Sequence, residues 1–293
     1  MAARGACAAA GESSEDRIPG ARARLDAVCC GDSIGLKKGI TVLIRSEYRE
    51  AIMISIDRRL FVFGLCGMGW VGTPLRRSVF AATKISPDER SVLIVVDVQN
   101  CFLPGGSLAV KNGEQVVPII NRIAKAFTNV VLTQDWHTPD HISFASVHPG
   151  KKPFETIKLP YGDQVLWPDH CVQGTSSADI SKDISIPHAA LIVRKGYHKD
   201  VDSYSAFFEA DHKTPTGLGG YLNQRGIDKA FVTGLATDFC VAWTAIDARS
   251  IGLETYVVED ACRGIDTEGS LAAAWTAMEK AGVKRITSED FAL

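Results

Sequence analysis

The chain has 293 residues, of which 46% are hydrophobic and 23% charged, a composition typical of a globular protein. Its formal net charge of −2 excludes the broad basic surface that nucleic-acid backbones and anionic membranes attract, so we expect neither as a partner. Residues 1–90 carry 14 Lys or Arg against 10 Asp or Glu, and all seven histidines lie beyond them. The sequence therefore predicts two unlike parts: a basic N-terminal extension, 1–90, and a domain, 91–293, that holds the polar chemistry.

The first part of the extension, residues 1–35, is rich in Ala, Gly, Ser and Arg and shows little hydrophobic periodicity, which is typical of a flexible leader. An apolar stretch at 60–71 resembles the core of a targeting peptide, but it is too short to span a bilayer. The extension is thus either a targeting segment or an upstream extension of the gene model. We expect a cytoplasmic protein, with organelle import or secretion through the extension as the alternative.

The eight cysteines are scattered, with no C-x-x-C pair and no regular spacing. A chain of this length does not need disulfides to be stable. We therefore expect free thiols in a reducing compartment.

Beyond residue 90, β-branched runs alternate with helical patterns. The runs predict strands at 91–96, 130–133, 189–193, 230–233 and 255–258. Apolar residues three or four positions apart predict helices at 116–127, 239–251 and 270–281, the last two ending at glycines. This alternation predicts an α/β fold, a doubly wound and mainly parallel β-sheet flanked by helices in three layers. Such sheets bind ligands at the carboxyl ends of their strands.

Three polar residues stand at predicted strand ends. Asp97 follows the first strand, Lys195 the third, and Cys240 begins the helix after the fourth strand, where the helix dipole favours a thiolate. An Asp can deprotonate such a thiol, and a Lys can hold the charge in place. Each residue alone has an ordinary alternative, as a loop cap, a surface charge or core filler. Their shared position predicts a nucleophilic cysteine site.

A second polar group follows the second predicted strand. Asp135 and His137 are separated by one residue, and His141 and His170 lie in the loops that follow. Carboxylate and imidazole ligands suit one divalent ion, Zn²⁺, Fe²⁺ or Mn²⁺. A lone Asp-x-His pair is often only a loop hydrogen bond, but the additional histidines favour a metal site.

Together these motifs resemble nicotinamidases of the isochorismatase-like cysteine hydrolase superfamily, over about residues 90–290. The motifs that carry the resemblance are Asp97-Val98-Gln99-Asn100, Asp135-Trp136-His137, Trp167-Pro168-Asp169-His170-Cys171, Lys195-Gly196 and Gly234-Leu235-Ala236-Thr237-Asp238-Phe239-Cys240-Val241. The resemblance implies a metal-dependent amidase that hydrolyses nicotinamide to nicotinate and ammonia, a step of NAD salvage.

The resemblance also implies a role for each residue at the strand ends. Cys240 forms a thioester acyl-enzyme, Asp97 serves first as base and then as acid, and Lys195 is the cation that holds both. The backbone N–H groups of Ala236 and Cys240 form the oxyanion hole. A cis peptide bond is expected between Leu235 and Ala236.

For the metal centre, the resemblance implies that Asp135, His137 and His170 are the ligands and that the ion binds the pyridine nitrogen of the substrate. His141 is either an extra ligand or a neighbour of the ligands. The implied substrate pocket is formed by Phe102, Trp167, Tyr204 and Leu235.

The sequence leaves several points open. Cys101 departs from the resemblance because many relatives have an acidic residue there, and its thiol either tunes the site or makes it sensitive to oxidation. Two other functions remain as alternatives: another amidase of the superfamily, acting on a carbamoyl or ureido substrate, and a member that binds a ligand without catalysis. The identity of the ion and the formation of a homo-oligomer are also left open.

Overall fold

The computed structural model describes residues 84–293. The apolar stretch at 60–71 and the rest of 1–83 lie outside the described residues. Residues 84–90, the end of the predicted extension, contact the domain: Ile85 pairs with Phe291 and packs against the core.

The described part contains eight β-strands and four α-helices. The strands are β1 (Ser91–Val96), β2 (Asn129–Asp135), β3 (Thr156–Leu159), β4 (Gly162–Val165), β5 (Leu191–Lys195), β6 (Lys229–Leu235), β7 (Glu254–Arg263) and β8 (Lys284–Ile286). The helices are α1 (Val116–Ile123), α2 (Leu218–Gln224), α3 (Ala242–Ser250) and α4 (Ser270–Lys280). Within residues 84–293, no helix is both long enough and apolar enough to cross a membrane.

Six strands form one parallel sheet in the order β5-β2-β1-β6-β7-β8, which confirms the predicted doubly wound architecture. The chain builds the sheet outward from β1 in one direction through β2 and β5, and then in the other through β6, β7 and β8. The strand order therefore reverses beside β1, and ligand sites of open α/β sheets form at such a switch point.

The sheet is buried on both faces because the side chains of β1 alternate between two cores. Leu93 and Val95 pack into one core together with α1, whereas Val92, Ile94 and Val96 pack into the other core, which α2, α3 and α4 cover. Burying each such aliphatic side chain stabilises the fold by about 1.5–3 kcal/mol. This packing fixes the strand ends that carry the site.

Some elements were not predicted from the sequence. The antiparallel hairpin β3–β4 is short and largely exposed, and it shows no apolar run. Helix α2 begins Leu-Gly-Gly, a weak helix signal. The predicted helix at 239–251 starts instead with a π-helical turn, Thr237–Val241, before α3.

Candidate active site

The sheet brings the three predicted strand-end residues together. Asp97 directly follows β1, Lys195 ends β5, and Cys240 lies in the π-helical turn after β6. The side chains of Asp97 and Lys195 are fully buried, and Cys240 is 6% exposed. The predicted grouping of an acid, a cation and a thiol is therefore present in the structure.

Lys195 is the centre of this group. Its Nζ lies 2.8 Å from Asp97 Oδ2 and donates to Cys240 Sγ at 3.4 Å. It also donates to the backbone oxygen of Ser203 at 2.9 Å and forms an ion pair with Asp135. One ammonium group thus holds the thiol, the proposed base and a predicted metal ligand in fixed positions.

The charges of the group follow from its burial. Burial raises the pKa of Asp97 to about 6, although the neighbouring Lys195 acts in the opposite direction. Burial also disfavours the charge of Lys195, but the carboxylates of Asp135 and Asp97 outweigh it and hold the Lys195 pKa well above its usual value. The ammonium therefore stays charged.

The thiol differs from the sequence-based expectation of a favoured thiolate. Burial raises the pKa of Cys240 well above its usual value, and the neighbouring Asp97 carboxylate adds to this, while Lys195 lowers it. The resting group is consequently a neutral thiol beside an acid whose pKa is about 6. A base must remove the thiol proton before the sulfur can attack.

The predicted metal ligands also lie together, next to the first group. One ligand atom each of Asp135, His137 and His170 lies within 4.8 Å of the others, and all three residues are buried. Asp135 Oδ2 is 3.6 Å from His137 Nε2 and 3.9 Å from His170 Nε2. The other carboxylate oxygen of Asp135 pairs with Lys195, so Asp135 links the two groups.

Backbone carbonyls orient both imidazoles. His137 Nδ1 donates to Gly196 O at 2.9 Å, and His170 Nδ1 donates to Pro168 O at 2.8 Å. Because each Nδ1 is occupied as a donor, Nε2 is the nitrogen that can bind a metal when the ring is neutral, and in both rings it lies near Asp135.

Gly196 is required at its position. It has a φ of +64°, and a Cβ built there would lie 2.5 Å from His137 Cε1. Only glycine lets the backbone come close enough for its carbonyl to accept from the ring.

The electrostatics of the site fit a cation. Burial lowers the pKa of His170 to about 4, with a contribution from His137, so His170 is neutral near pH 7. For His137, burial acts downward, but the Asp135 carboxylate outweighs it and raises the pKa. The cluster thus favours positive charge around His137, and an oxygen and two nitrogens suit a divalent ion.

His141 lies beside the three ligands rather than among them. Its ring centroid is 4.2 Å from that of His137, its Nδ1 is 2.7 Å from Ser143 Oγ, and its Nε2 is 3.2 Å from Val201 O. Its ligand atom groups with those of His137 and Asp202. Of the two alternatives for His141, the geometry favours a neighbour of the ligands.

Cys240 of the first group and all three predicted metal ligands line one small cavity, and Asp97 and Lys195 lie behind the thiol. Trp167 and Tyr204 line it, as predicted, and Trp167 Nε1 donates to Tyr204 Oη at 3.0 Å. The lining residues are Phe102, Leu108, Asp135, His137, Trp167, His170, Asp202, Tyr204, Ala236, Phe239, Cys240 and Ile265.

One predicted pocket residue is placed differently. Leu235 is not among the lining residues, because its side chain is fully buried in the core, where it lies against Gly113. The peptide bond between Leu235 and Ala236 is cis, as expected from the resemblance.

Two polar residues that support the site were not singled out from the sequence. Thr133 donates to Asp97 Oδ1 at 2.6 Å and accepts from the Asp97 N–H at 3.1 Å. Gln99 exchanges two hydrogen bonds, each 2.8 Å, with the backbone of Asp135. Gln99 belongs to the motif that begins at Asp97, and Thr133 ends a predicted strand, but only the folded sheet shows which groups they contact.

A disulfide joins Cys101 and Cys171, in contrast to the expected free thiols. The two loops that carry these residues converge at the site although they are 70 residues apart, and the Cα atoms are 5.7 Å apart. Cys101 follows the Asp97 loop and Cys171 directly follows His170, so the bond ties the two loops together. Cys240 and Cys262 are free, and the other four cysteines lie outside the described residues.

The chain is similar to several known proteins. The isochorismatase domain model matches residues 91–290. A curated nicotinamidase of Acinetobacter baylyi is 59% identical over 198 residues, which cover 68% of this chain and 92% of that protein.

Two solved structures resemble the described part. A nicotinamidase and pyrazinamidase of Acinetobacter baumanii is 61% identical with a TM-score of 0.69, and the match covers 69% of this chain and 98% of the other. A pyrazinamidase of Pyrococcus horikoshii in complex with zinc is 33% identical with a TM-score of 0.56, covering 68% and 99%.

Proposed function

Because this chain belongs to the isochorismatase family, we propose that it hydrolyses nicotinamide to nicotinate and ammonia, through a cysteine thioester and with one bound divalent ion. The chain is a hydrolase that acts on an amide, as its similarity to curated nicotinamidases shows. The observation that carries the proposed substrate, thioester and ion is the cavity itself. On one side it presents a buried thiol beside an acid and a lysine, and on the other side a trio of metal-binding ligands.

The first step is deprotonation of the thiol. Asp97 accepts the proton of Cys240, and Lys195, in contact with both, stabilises the anion as the sulfur attacks the amide carbon. The carbonyl oxygen becomes an oxyanion, which the backbone N–H groups of Ala236 and Cys240 stabilise. Asp97 then gives its proton to the leaving nitrogen, which departs as ammonia.

The second step hydrolyses the thioester and releases nicotinate. Asp97, again ionised, takes a proton from a water molecule, and the resulting hydroxide attacks the thioester carbon. The C–S bond breaks, Asp97 returns the proton to the Cys240 sulfur, and the carboxylic acid loses its own proton to solvent and leaves as nicotinate. Over the two steps, one water molecule is consumed and one ammonia is released. Asp97 transfers protons in both steps.

Asp135, His137 and His170 are the residues that would hold the ion, which when bound supplies a site for the lone pair of the pyridine nitrogen. The zinc in the related pyrazinamidase supports this assignment. The aromatic walls at Phe102 and Trp167 suit a flat ring between the ion and the thiol. A ureido substrate has no ring nitrogen that an ion held by these three ligands could bind. This favours nicotinamide over the carbamoyl alternative.

The test is an assay of the full chain for nicotinate formation from nicotinamide, with a carbamoyl amide as the competing substrate. Activity is to be measured before chelation, after chelation and after return of Zn²⁺, Fe²⁺ or Mn²⁺. We expect turnover of nicotinamide that chelation removes and one of the ions restores. Preferred turnover of the carbamoyl amide would contradict the assignment of nicotinamide as the substrate. Full activity after verified metal removal would contradict the metal requirement.

A further inference from the structure

Asp202 is a buried acid with no assigned role. It is 2% exposed and lines the cavity, and no Lys or Arg within residues 84–293 forms an ion pair with it. Its carboxylate accepts from Gln164 Nε2 at 2.8 Å and from the N–H of Ser203 at 2.8 Å. Two neutral donors do not offset the cost of burying a charge, so a cation is needed near this group.

Ligand atoms of two imidazoles lie next to that carboxylate. One ligand atom each of Asp202, His137 and His141 lies within 4.8 Å of the others. This group shares His137 with the group of Asp135, His137 and His170. The region around His137 therefore has a carboxylate from each of the two groups, and both face the same cavity.

The formal charges of the residues in and behind the cavity leave room for one divalent ion. Asp97, Asp135 and Asp202 contribute three negative charges, and Lys195 contributes one positive charge. Transfer of the proton from Cys240 to Asp97 leaves this balance unchanged. The remaining two negative charges equal the charge of one M²⁺, whereas without Asp202 only one would remain.

The short segment around Asp202 contacts both functional groups. Val201 O lies 3.2 Å from His141 Nε2, Ser203 O accepts from Lys195 Nζ, and Tyr204 lines the cavity. Three neighbours of Asp202 thus direct polar groups to the site. The position of its carboxylate beside His137 is part of the same local arrangement.

We propose that Asp202 belongs to the metal centre, where its carboxylate supplies the second uncompensated negative charge and raises the affinity for a divalent cation. The inference rests on the metal site of the proposed function but not on the identity of the substrate. It makes Asp202 a positioning residue for the ion, whereas the three ligands predicted from the sequence bind it directly.

Asp202→Asn tests the inference because it removes the charge and keeps the shape. The probe is Zn²⁺, with its dissociation constant measured on the full chain by competition against a chromophoric chelator. We expect binding to weaken by about 10–100-fold, the usual effect of losing a group that supports metal ligands. Two control variants should bind Zn²⁺ within about threefold of the wild type, the usual scale for a surface charge or a single neutral hydrogen bond.

The first control, Asp140→Asn, removes an exposed acid of the His137 loop that pairs with Lys199. The second, Gln164→Met, removes the hydrogen bond to Asp202 but keeps its charge. If the Asn variant does not fold, Asp202→Ser removes the same charge with a smaller side chain. The melting temperature of each metal-free variant checks the fold.

Unchanged Zn²⁺ affinity in a folded Asp202→Asn or Asp202→Ser variant would overturn the inference, as would an equal loss of affinity in Gln164→Met. Hydrolysis of nicotinamide with Zn²⁺ binding independent of Asp202 would overturn this inference alone. Zn²⁺ binding that depends on Asp202 without hydrolysis of nicotinamide would overturn the proposed function alone.

Discussion

The two sides of the cavity are built differently. On the thiol side, Lys195 ends a strand, Asp97 directly follows one, and Cys240 lies in the turn after a third, so the buried core of one sheet sets their places. On the metal side, only Asp135 ends a strand, and His137 and His170 lie on loops held by hydrogen bonds to backbone carbonyls. The residues of the proposed proton transfers are thus placed by the sheet, and two of the three proposed metal ligands are placed by loops.

If the two sides are separable, Cys240→Ala should stop turnover without disturbing the metal. We expect kcat to fall by more than about 10⁴-fold, because the variant lacks the proposed nucleophile. Metal content, measured by elemental analysis, should stay unchanged. Cys262→Ala, at the second buried free thiol among residues 84–293, is the matched control and should stay near wild-type activity. Loss of metal from the Cys240 variant would show that the two sides are one unit.

The converse change is His170→Ala, which removes a ligand from the loop side. We expect metal affinity to fall by at least about 100-fold, more than the loss of a supporting group. The rate at which iodoacetamide alkylates Cys240 should stay within about threefold of wild type, because the contacts of Lys195 are untouched. Exposed His188, changed to Ala, serves as the control. A large change in alkylation would contradict the separation.

The pH dependence of kcat/KM reports the thiol side. Burial raises the Asp97 pKa to about 6, and the base form is the carboxylate, so activity should fall as the pH drops through about 6, by about tenfold per unit below it. Thr133→Val removes a donor to Asp97 Oδ1 that favours the carboxylate. The variant should raise the apparent pKa of the acid-side fall in kcat/KM by about 0.7 unit, the equivalent of about 1 kcal/mol.

The matched control for that shift is Thr133→Ser, which keeps the hydroxyl and should leave the apparent pKa of kcat/KM unchanged. If wild-type activity falls only near pH 4, Asp97 is not the group that titrates.

The smallest effect is expected between the two sides, at the pocket wall. Tyr204→Phe removes the oxygen that accepts from Trp167 Nε1 and Gln164 Nε2, leaving those donors without it. KM for nicotinamide should rise by about fivefold, the equivalent of one net hydrogen bond, with kcat within about threefold. An equal fall in kcat with unchanged KM would place the hydroxyl in the chemistry instead.

The difference between the two sides also explains how far the sequence could be read. The predicted strand 91–96 matches β1, and the predicted strand 230–233 lies within β6. Both could be predicted because a strand that is buried on both faces has a continuous apolar, β-branched run. Asp97, Lys195 and Cys240 follow from the ends of such strands. Residue types and spacing indicate a metal site among Asp135, His137, His141 and His170, and the resemblance to nicotinamidases selects three of them as ligands.

What the sequence could not provide depends on contacts between distant segments. Asp202 carries no motif, and its importance appears only when its loop folds against His137. The pairing of Cys101 with Cys171 spans 70 residues and leaves no local signal. The hairpin that brings Gln164 to Asp202 is too short and polar to show periodicity.

The dipeptide Lys195-Gly196 serves both sides of the cavity at once. The lysine ammonium contacts Asp97 and Cys240, and the next carbonyl along the chain accepts from His137. A Cβ at Gly196 would collide with that ring, so any other residue at this position would displace an imidazole of the proposed ion site. A shift of this dipeptide would therefore move groups on both sides of the cavity, although a side-chain change at Cys240 or His170 leaves the dipeptide in place.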